Sequence, residues 1–101
     1  MSGYIIYHYN IINKERINEL GPLSLPIIKK YGGELIIAST VTRLEGSPYT
    51  HMVVYKFDSK EKAQAFHRSE ESRELSKLRN KVTEGFVVIV PEFGHDQTTQ
   101  L

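Results

Sequence analysis

The side chains of this sequence best suited to chemistry are four histidines, His8, His51, His67 and His95, and one arginine, Arg79, placed directly after the apolar Leu78. Imidazole changes charge near neutral pH, so it serves as a general base or a metal ligand. None of the four stands at a His-x-x-x-His or comparable ligand spacing, and no carboxylate pairs with them at a recognised metal offset. No metal is expected. His8 falls between Tyr7 and Tyr9, at the end of a strand-like run. If its face lines an enclosed interior, it is a candidate catalytic base; a satisfied interior histidine is the more ordinary role for such a residue. Arg79 is the second catalytic candidate, because a planar guanidinium suits the clamping of a carboxylate or another anion. Against that stands an ion pair with Glu45, Glu71 or another acid. His67 follows Phe66 and could reach the same mouth as Arg79, although an exposed helix position is the plainer reading. Tyr31 and Ser39 complete the ligand-binding candidates; packing and strand positions are their plainer roles. The chain has six tyrosines and no tryptophan, enough for an aromatic-walled pocket, but strand tyrosines are usually core or interface.

Other chemistries are excluded by composition. Without cysteine there are no disulfides, thiolate nucleophiles or thiolate metal sites. Gly32-Gly33 ends a helix and does not open one, so it is no phosphate-binding loop. Gly46-Ser47-Pro48 lies in a hairpin context, whereas a nucleophile elbow needs strand, turn and helix. Thirteen basic and 12 acidic residues leave a net charge of +1, too balanced for nucleic acid as a main partner. The charges from Lys60 to Lys81 mix signs and read as a solvated helix face. The N-terminus lacks the pattern of a signal peptide, and no apolar run approaches the roughly 18 residues of a membrane span. A cytoplasmic protein without membrane contact is therefore expected, and no cofactor is called for.

The elements that must position these residues follow from periodicity. Tyr4 to Tyr9 reads as a strand of aromatic and β-branched residues. Asn13 is a good N-cap, with Ile12 and Ile17 at hydrophobic-staple positions. Ile17, Leu20, Ile27, Ile28 and Tyr31 recur at helical spacing. Gly21-Pro22 and Pro26 predict a kink or break near Gly21, and Gly32-Gly33 ends the helix. Glu34 to Leu44 is the expected second strand, Glu45 to Pro48 a turn, and His51 to Phe57 the third strand. Asp58 and Ser59 offer N-caps to a helix carrying Ala63 and Phe66. Ser69-Glu70-Glu71 signals a second helix start, and Leu75, Leu78 and Val82 form its stripe. Gly85 is expected to close it, before a strand from Phe86 to Val90 stopped by Pro91.

The order βαββαβ is the α+β, ferredoxin-like split β-α-β plan: a four-stranded antiparallel sheet with helices on one face. At 101 residues this is a single domain, residues 1–91, followed by a polar tail, residues 92–101. A sheet with one wet face should alternate apolar with polar residues. Strands one and four do not: Tyr4, Ile6 and His8 oppose Ile5, Tyr7 and Tyr9, and Phe86, Val88 and Val90 oppose Val87 and Ile89. The expectation is that a second copy covers the open face, giving a homodimer in the form of a dimeric α/β barrel.

Several segments resemble one family, the domain-of-unknown-function family 1330. They are Tyr31-Gly32-Gly33 with the strand after it, Leu44-Glu45-Gly46, Val53 to Ser59, Ala63 to Ser69 leading to Glu71, Leu78-Arg79, and Val87 to Val90. The resemblance spans about residues 4–91 and rests on the order and spacing of these segments together. It implies the dimeric α/β-barrel fold and supplies no function. Arg79 matches a position that the family usually keeps basic. The chain departs from the family pattern twice: Ala38 stands where an arginine is common, and Ser69-Glu70-Glu71-Ser72 replaces Ser-Pro-Glu-Tyr.

Three readings of function follow. The first is a dimeric protein binding a small, partly apolar organic acid between sheet and helices, held by Arg79 with His8 or His67 nearby. The second is a cofactor-free oxygenase or isomerase, with His8 as base and Arg79 stabilising the anion. The third is a structural or regulatory dimer with no small ligand. Convergence of a histidine and Arg79 on one water-excluded point separates the second from the first.

Overall fold

A computed structural model of the chain describes residues 1–94. Strand β1 spans Gly3–Ile11, helix α1 Leu20–Lys30, strands β2 and β3 Glu34–Thr40 and His51–Phe57, helices α2 and α3 Lys60–Arg68 and Glu70–Val82, and strand β4 Thr83–Pro91. The sheet order is β2-β3-β1-β4, with every neighbouring pair antiparallel. This is the expected α+β, ferredoxin-like arrangement, with the second helical region divided at Ser69.

Local chemistry accounts for most boundaries. Asn13 Oδ1 accepts from the backbone N–H groups of Glu15 and Arg16 (3.1 and 3.0 Å), capping a turn that continues as the 3-10 segment Ile17–Glu19. The expected break at Gly21 falls before Leu20 instead. Helix α1 starts there and contains both prolines. Pro22 lies in its first turn, where backbone N–H groups have no intrahelical partner. The helix ends at Gly32, whose φ of 79° places it in the left-handed region. The Gly33 N–H donates to the Ile28 carbonyl (2.9 Å) and the Gly32 N–H to that of Lys29 (3.0 Å), a Schellman closure. Ser59 caps α2 by accepting from the Lys62 N–H (3.1 Å), and Ser69 caps α3 by accepting from the Ser72 N–H (3.1 Å). Each such cap contributes about 1 kcal/mol.

Two sequence expectations are corrected. Strand β2 stops at Thr40, and residues 41–50 form a long loop; Leu44, expected within the strand, is 89% exposed. Gly85 does not close α3. Thr83 does so, with its Oγ1 donating to the Arg79 carbonyl (2.8 Å), and β4 begins at once. Gly85 lies inside β4 opposite Tyr9, where a Cβ would overlap the His8 carbonyl. A β-bulge interrupts the β2–β3 pairing between Leu35 and Ile37.

The core lies between the sheet and its helices: Ile5 and Tyr7 from β1, Phe57 from β3, Ile28 from α1, and Ala63 and Phe66 from α2. Cross-strand partners share a face, so Tyr4, Ile6 and His8 lie with Val90, Val88 and Phe86 on the side away from the helices. There Phe86, Val88 and Val90 remain 45, 40 and 37% exposed.

Candidate functional site

Between sheet and helices lies a chamber of about 330 Å³. Alternation along β1 and β3 puts Tyr7, Tyr9 and Tyr55 on its floor. Helix α1 contributes Ser24 and Ile28, and α3 contributes Ser72, Leu75 and Arg79 at helical spacing along one side. Floor and walls are thus largely apolar or phenolic, with Arg79 as the one positive charge and Glu84 also among the lining residues.

Arg79 sits over the Tyr7 ring, its guanidinium carbon 5.2 Å from the ring centroid. Such a cation–π contact contributes about 0.5–2 kcal/mol, more as it is desolvated. One terminal nitrogen donates to Ser76 Oγ (3.2 Å). Among the described residues no carboxylate forms an ion pair with Arg79. Glu71, one of its possible partners by sequence, pairs with Lys30 instead (2.9 Å). Among the described residues the guanidinium is therefore oriented by stacking and one hydrogen bond, with no carboxylate paired to it.

The tyrosines stay protonated. Burial pushes the Tyr7 hydroxyl far above the ordinary phenol range, with the nearby Arg79 charge only partly offsetting it and Tyr55 adding to the rise. Burial also raises Tyr55, against the pull of the Ser24 hydroxyl, and raises Tyr9. These hydroxyls are neutral donors at physiological pH, not phenolate bases.

The other sequence candidates lie elsewhere. His8 is on the opposite face of the sheet from Arg79. Its Nδ1 bonds the His51 carbonyl (2.8 Å) and its Nε2 the Ser47 hydroxyl (2.6 Å). The expected meeting of His8 and Arg79 at one point is not made within the monomer. His67, in the last turn of α2, does not border the chamber. Its ring Nδ1 is buried without a hydrogen-bond partner, and its pKa is lowered, first by burial and then by the Arg79 and Arg68 charges. Tyr31 ties two helices together: its hydroxyl donates to Glu71 (3.1 Å) and its ring packs edge-on against Phe66. Ser39 pairs with Met52 on the side away from the helices. His51 stacks on Tyr9, and His95 lies outside the described residues. Among the described residues no three His, Asp or Glu side chains gather as a metal site, and no helix is long and apolar enough to cross a membrane.

Sequence reasoning missed Tyr7, Tyr9 and Tyr55 as a shared floor. The signal available was the odd-numbered alternation of β1 together with Tyr55 in β3. It also did not place Ser72 in the chamber wall.

No curated protein matches the chain in sequence. Among solved structures, a protein of unknown function from Rhodopseudomonas palustris superposes with a TM-score of 0.69 at 15% identity, covering 92% of this chain and 83% of that one. SnoaB, a cofactor-independent oxygenase from Streptomyces nogalater, gives 0.68 at 2% identity, covering 92% and 94%. A dimeric ferredoxin-like protein of unknown function from Thermobifida fusca gives 0.57 at 10% identity, covering 91% and 92%. At these identities the likeness is one of fold. The family model described as a domain of unknown function, DUF1330, matches residues 2–93, and the chain belongs to that family.

Proposed function

We propose that this protein binds a small, partly apolar organic acid in the chamber between sheet and helices, and does so as a homodimer. The observation that carries the first part is an Arg79 guanidinium that forms no ion pair among the described residues, fixed over Tyr7, on the wall of a chamber floored by neutral tyrosines. A carboxylate supplies the missing counter-charge and accepts from the guanidinium and from phenolic hydroxyls. An aromatic or alicyclic body replaces water along Ile28, Leu75 and Phe66.

The test is a thermal-shift and calorimetric series with benzoate, phenylacetate and cyclohexanecarboxylate, and benzyl alcohol as the uncharged counterpart. Acids are expected to stabilise the wild type more than the alcohol. Hydrogen bonds to charged groups contribute about 1.5–3 kcal/mol. Arg79→Ala should therefore weaken acid binding about 10- to 100-fold and leave the alcohol unaffected. Equal shifts in both proteins remove Arg79 from the site.

The cofactor-free oxygenase or isomerase reading has a fold neighbour described as a cofactor-independent oxygenase, but among the described residues no histidine base lines this chamber. Binding is the reading the geometry favours. The homodimer is supported by the apolar strip Phe86, Val88 and Val90 on the open face, and by a similar fold described as dimeric. Sedimentation at micromolar concentration should give a dimer, and Val88→Lys a folded monomer. A wild-type monomer refutes this part.

A further inference from the structure

Three tyrosines floor the chamber, and their hydroxyls are not alike. Tyr55 shares a hydrogen bond with the Ser24 hydroxyl, which itself donates to the Leu20 carbonyl (2.6 Å). Tyr9 stacks on His51 with ring centroids 5.6 Å apart and is half-buried. Tyr7 is 7% exposed, yet no described residue hydrogen-bonds its hydroxyl; burial and nearby groups account for its raised pKa. Buried polar groups are as a rule hydrogen-bonded, and one left unmet is costly. Nor is this oxygen sealed in the core. Among the described residues the enclosed side-chain polar atom without a partner is His67 Nδ1, not Tyr7 Oη. The little surface that Tyr7 keeps therefore belongs to the chamber it lines.

The Tyr7 ring is held from two sides. Tyr55 packs against it edge-on at 5.4 Å, and the Arg79 guanidinium covers it at 5.2 Å. Arg79 is held in turn. Ser76 Oγ accepts from it (3.2 Å) and donates to the Ser72 carbonyl (3.0 Å). A guanidinium has five N–H donors, and Ser76 is the one partner they have among the described residues. A cation suited to a carboxylate and a neutral donor suited to one acceptor thus belong to the same stacked pair. Tyr7 keeps its proton, because burial outweighs the pull of Arg79. It donates beside a carboxylate without ionising to repel it.

We infer, on the acid-binding reading above, that the acid taken by this chamber is a 2-oxo acid with an aromatic or alicyclic side chain, its carboxylate on Arg79 and its ketone oxygen accepting from Tyr7 Oη. In such an acid the ketone carbon is bonded directly to the carboxylate, so the two acceptors are as close together as the stacked cation and phenol require. A ketone oxygen only accepts, and a single donor satisfies it. A plain carboxylic acid has no acceptor for Tyr7 beyond the carboxylate that Arg79 engages. Sites built to hydrogen-bond a ligand oxygen discriminate against the analogue without it, because their own buried polar group is then left unpaired.

Calorimetric titration of the native full-length protein at neutral pH tests this with phenylacetate, phenylglyoxylate and mandelate. All three carry one charge and one phenyl ring, and they differ at the carbon next to the carboxylate: methylene, ketone and hydroxyl. The wild type should bind phenylglyoxylate about 5- to 10-fold more tightly than phenylacetate, the effect of one neutral hydrogen bond. Mandelate, whose hydroxyl needs an acceptor as well as a donor, should fall short of the ketone. Tyr7→Phe keeps the ring beneath Arg79 and removes only the hydroxyl, so it should bind phenylglyoxylate no more tightly than phenylacetate. Arg79→Ala should weaken both. Equal wild-type affinities for phenylglyoxylate and phenylacetate overturn the inference, leave the acid site standing, and need no variant. A ketone preference that survives in folded Tyr7→Phe, or mandelate bound as tightly as phenylglyoxylate, overturns it too. Absence of binding by all three acids, or unchanged affinities in Arg79→Ala, overturns the acid-binding reading itself and the 2-oxo assignment with it.

Discussion

Phe66 offers the most quantitative check on the packing that shapes the chamber. Its side chain is 1% exposed and bears on three aromatic rings: Phe57 nearly parallel at 5.4 Å, and Tyr31 and Tyr55 edge-on at 5.9 and 6.4 Å. Two of these rings come from β3 and the third, Tyr31, from the C-cap of α1, so one side chain joins α2 to the rest of the core. Truncating a buried phenylalanine to alanine costs about 3–5 kcal/mol, because apolar transfer energy is lost and the space left does not close. A domain of this size is stabilised by only about 5–15 kcal/mol in total. Phe66→Ala should therefore lower the melting temperature by more than about 10 °C, since 1 kcal/mol shifts a domain this small by roughly 4–8 °C. Phe66→Leu, which keeps much of the apolar volume, should cost about 1–2 kcal/mol. Urea unfolding monitored by circular dichroism measures both. A loss below about 1 kcal/mol for Phe66→Ala, or equal losses for the two variants, refutes the view that this aromatic cluster holds α2 to the sheet.

Other consequences are as direct. Gly85→Ala places a Cβ against the His8 carbonyl and 2.6 Å from Tyr9 Cα. Both are backbone and cannot yield, so a loss of about 3 kcal/mol or more is expected in the same assay. His67 should titrate below the ordinary histidine value of 6.5, since burial and then Arg79 and Arg68 disfavour its charged form. The folded state thus takes up this proton less readily than the unfolded one. Its contribution is complete above the unfolded value of about 6.5 and is lost as pH falls from there toward the folded value. NMR titration should also find the His67 pKa raised in Arg79→Ala; no change would remove Arg79 from its surroundings. Ser69→Ala should cost about 1 kcal/mol by uncapping α3, read by thermal denaturation.

The architecture was legible wherever local chemistry decides it. The Gly32 closure, the restart of helix at Ser69 and the third strand, His51 to Phe57, all stand where the residues place them. What escaped depends on partners distant in sequence. Val41 and Leu44 look like strand residues, but the observed pairing of β2 with β3 ends at Thr40 and His51. Thr83 to Gly85 look like a helix end, but pairing with Tyr9, Asn10 and Ile11 draws them into β4. The candidate site divides in the same way. Arg79 was recognisable by type, whereas its seat on Tyr7 spans 72 residues of chain (79 − 7) and leaves no local trace. His8 stood out by its neighbours, yet its partner Ser47 is 39 residues away.

The bulge in β2 has a consequence for the fate of the folded chain at high concentration. This outermost strand carries Leu35, Ile36 and Ile37 in succession, all substantially exposed. Straight, greasy borders of that kind invite further molecules to add strand by strand, and so seed fibres. The additional residue between Leu35 and Ile37 throws the row of amide and carbonyl groups out of step, so an incoming strand meets mismatched partners. The same irregularity that spoils one register thus discourages aggregation along this border, and leaves the broad face of the sheet as the surface where a further copy can settle.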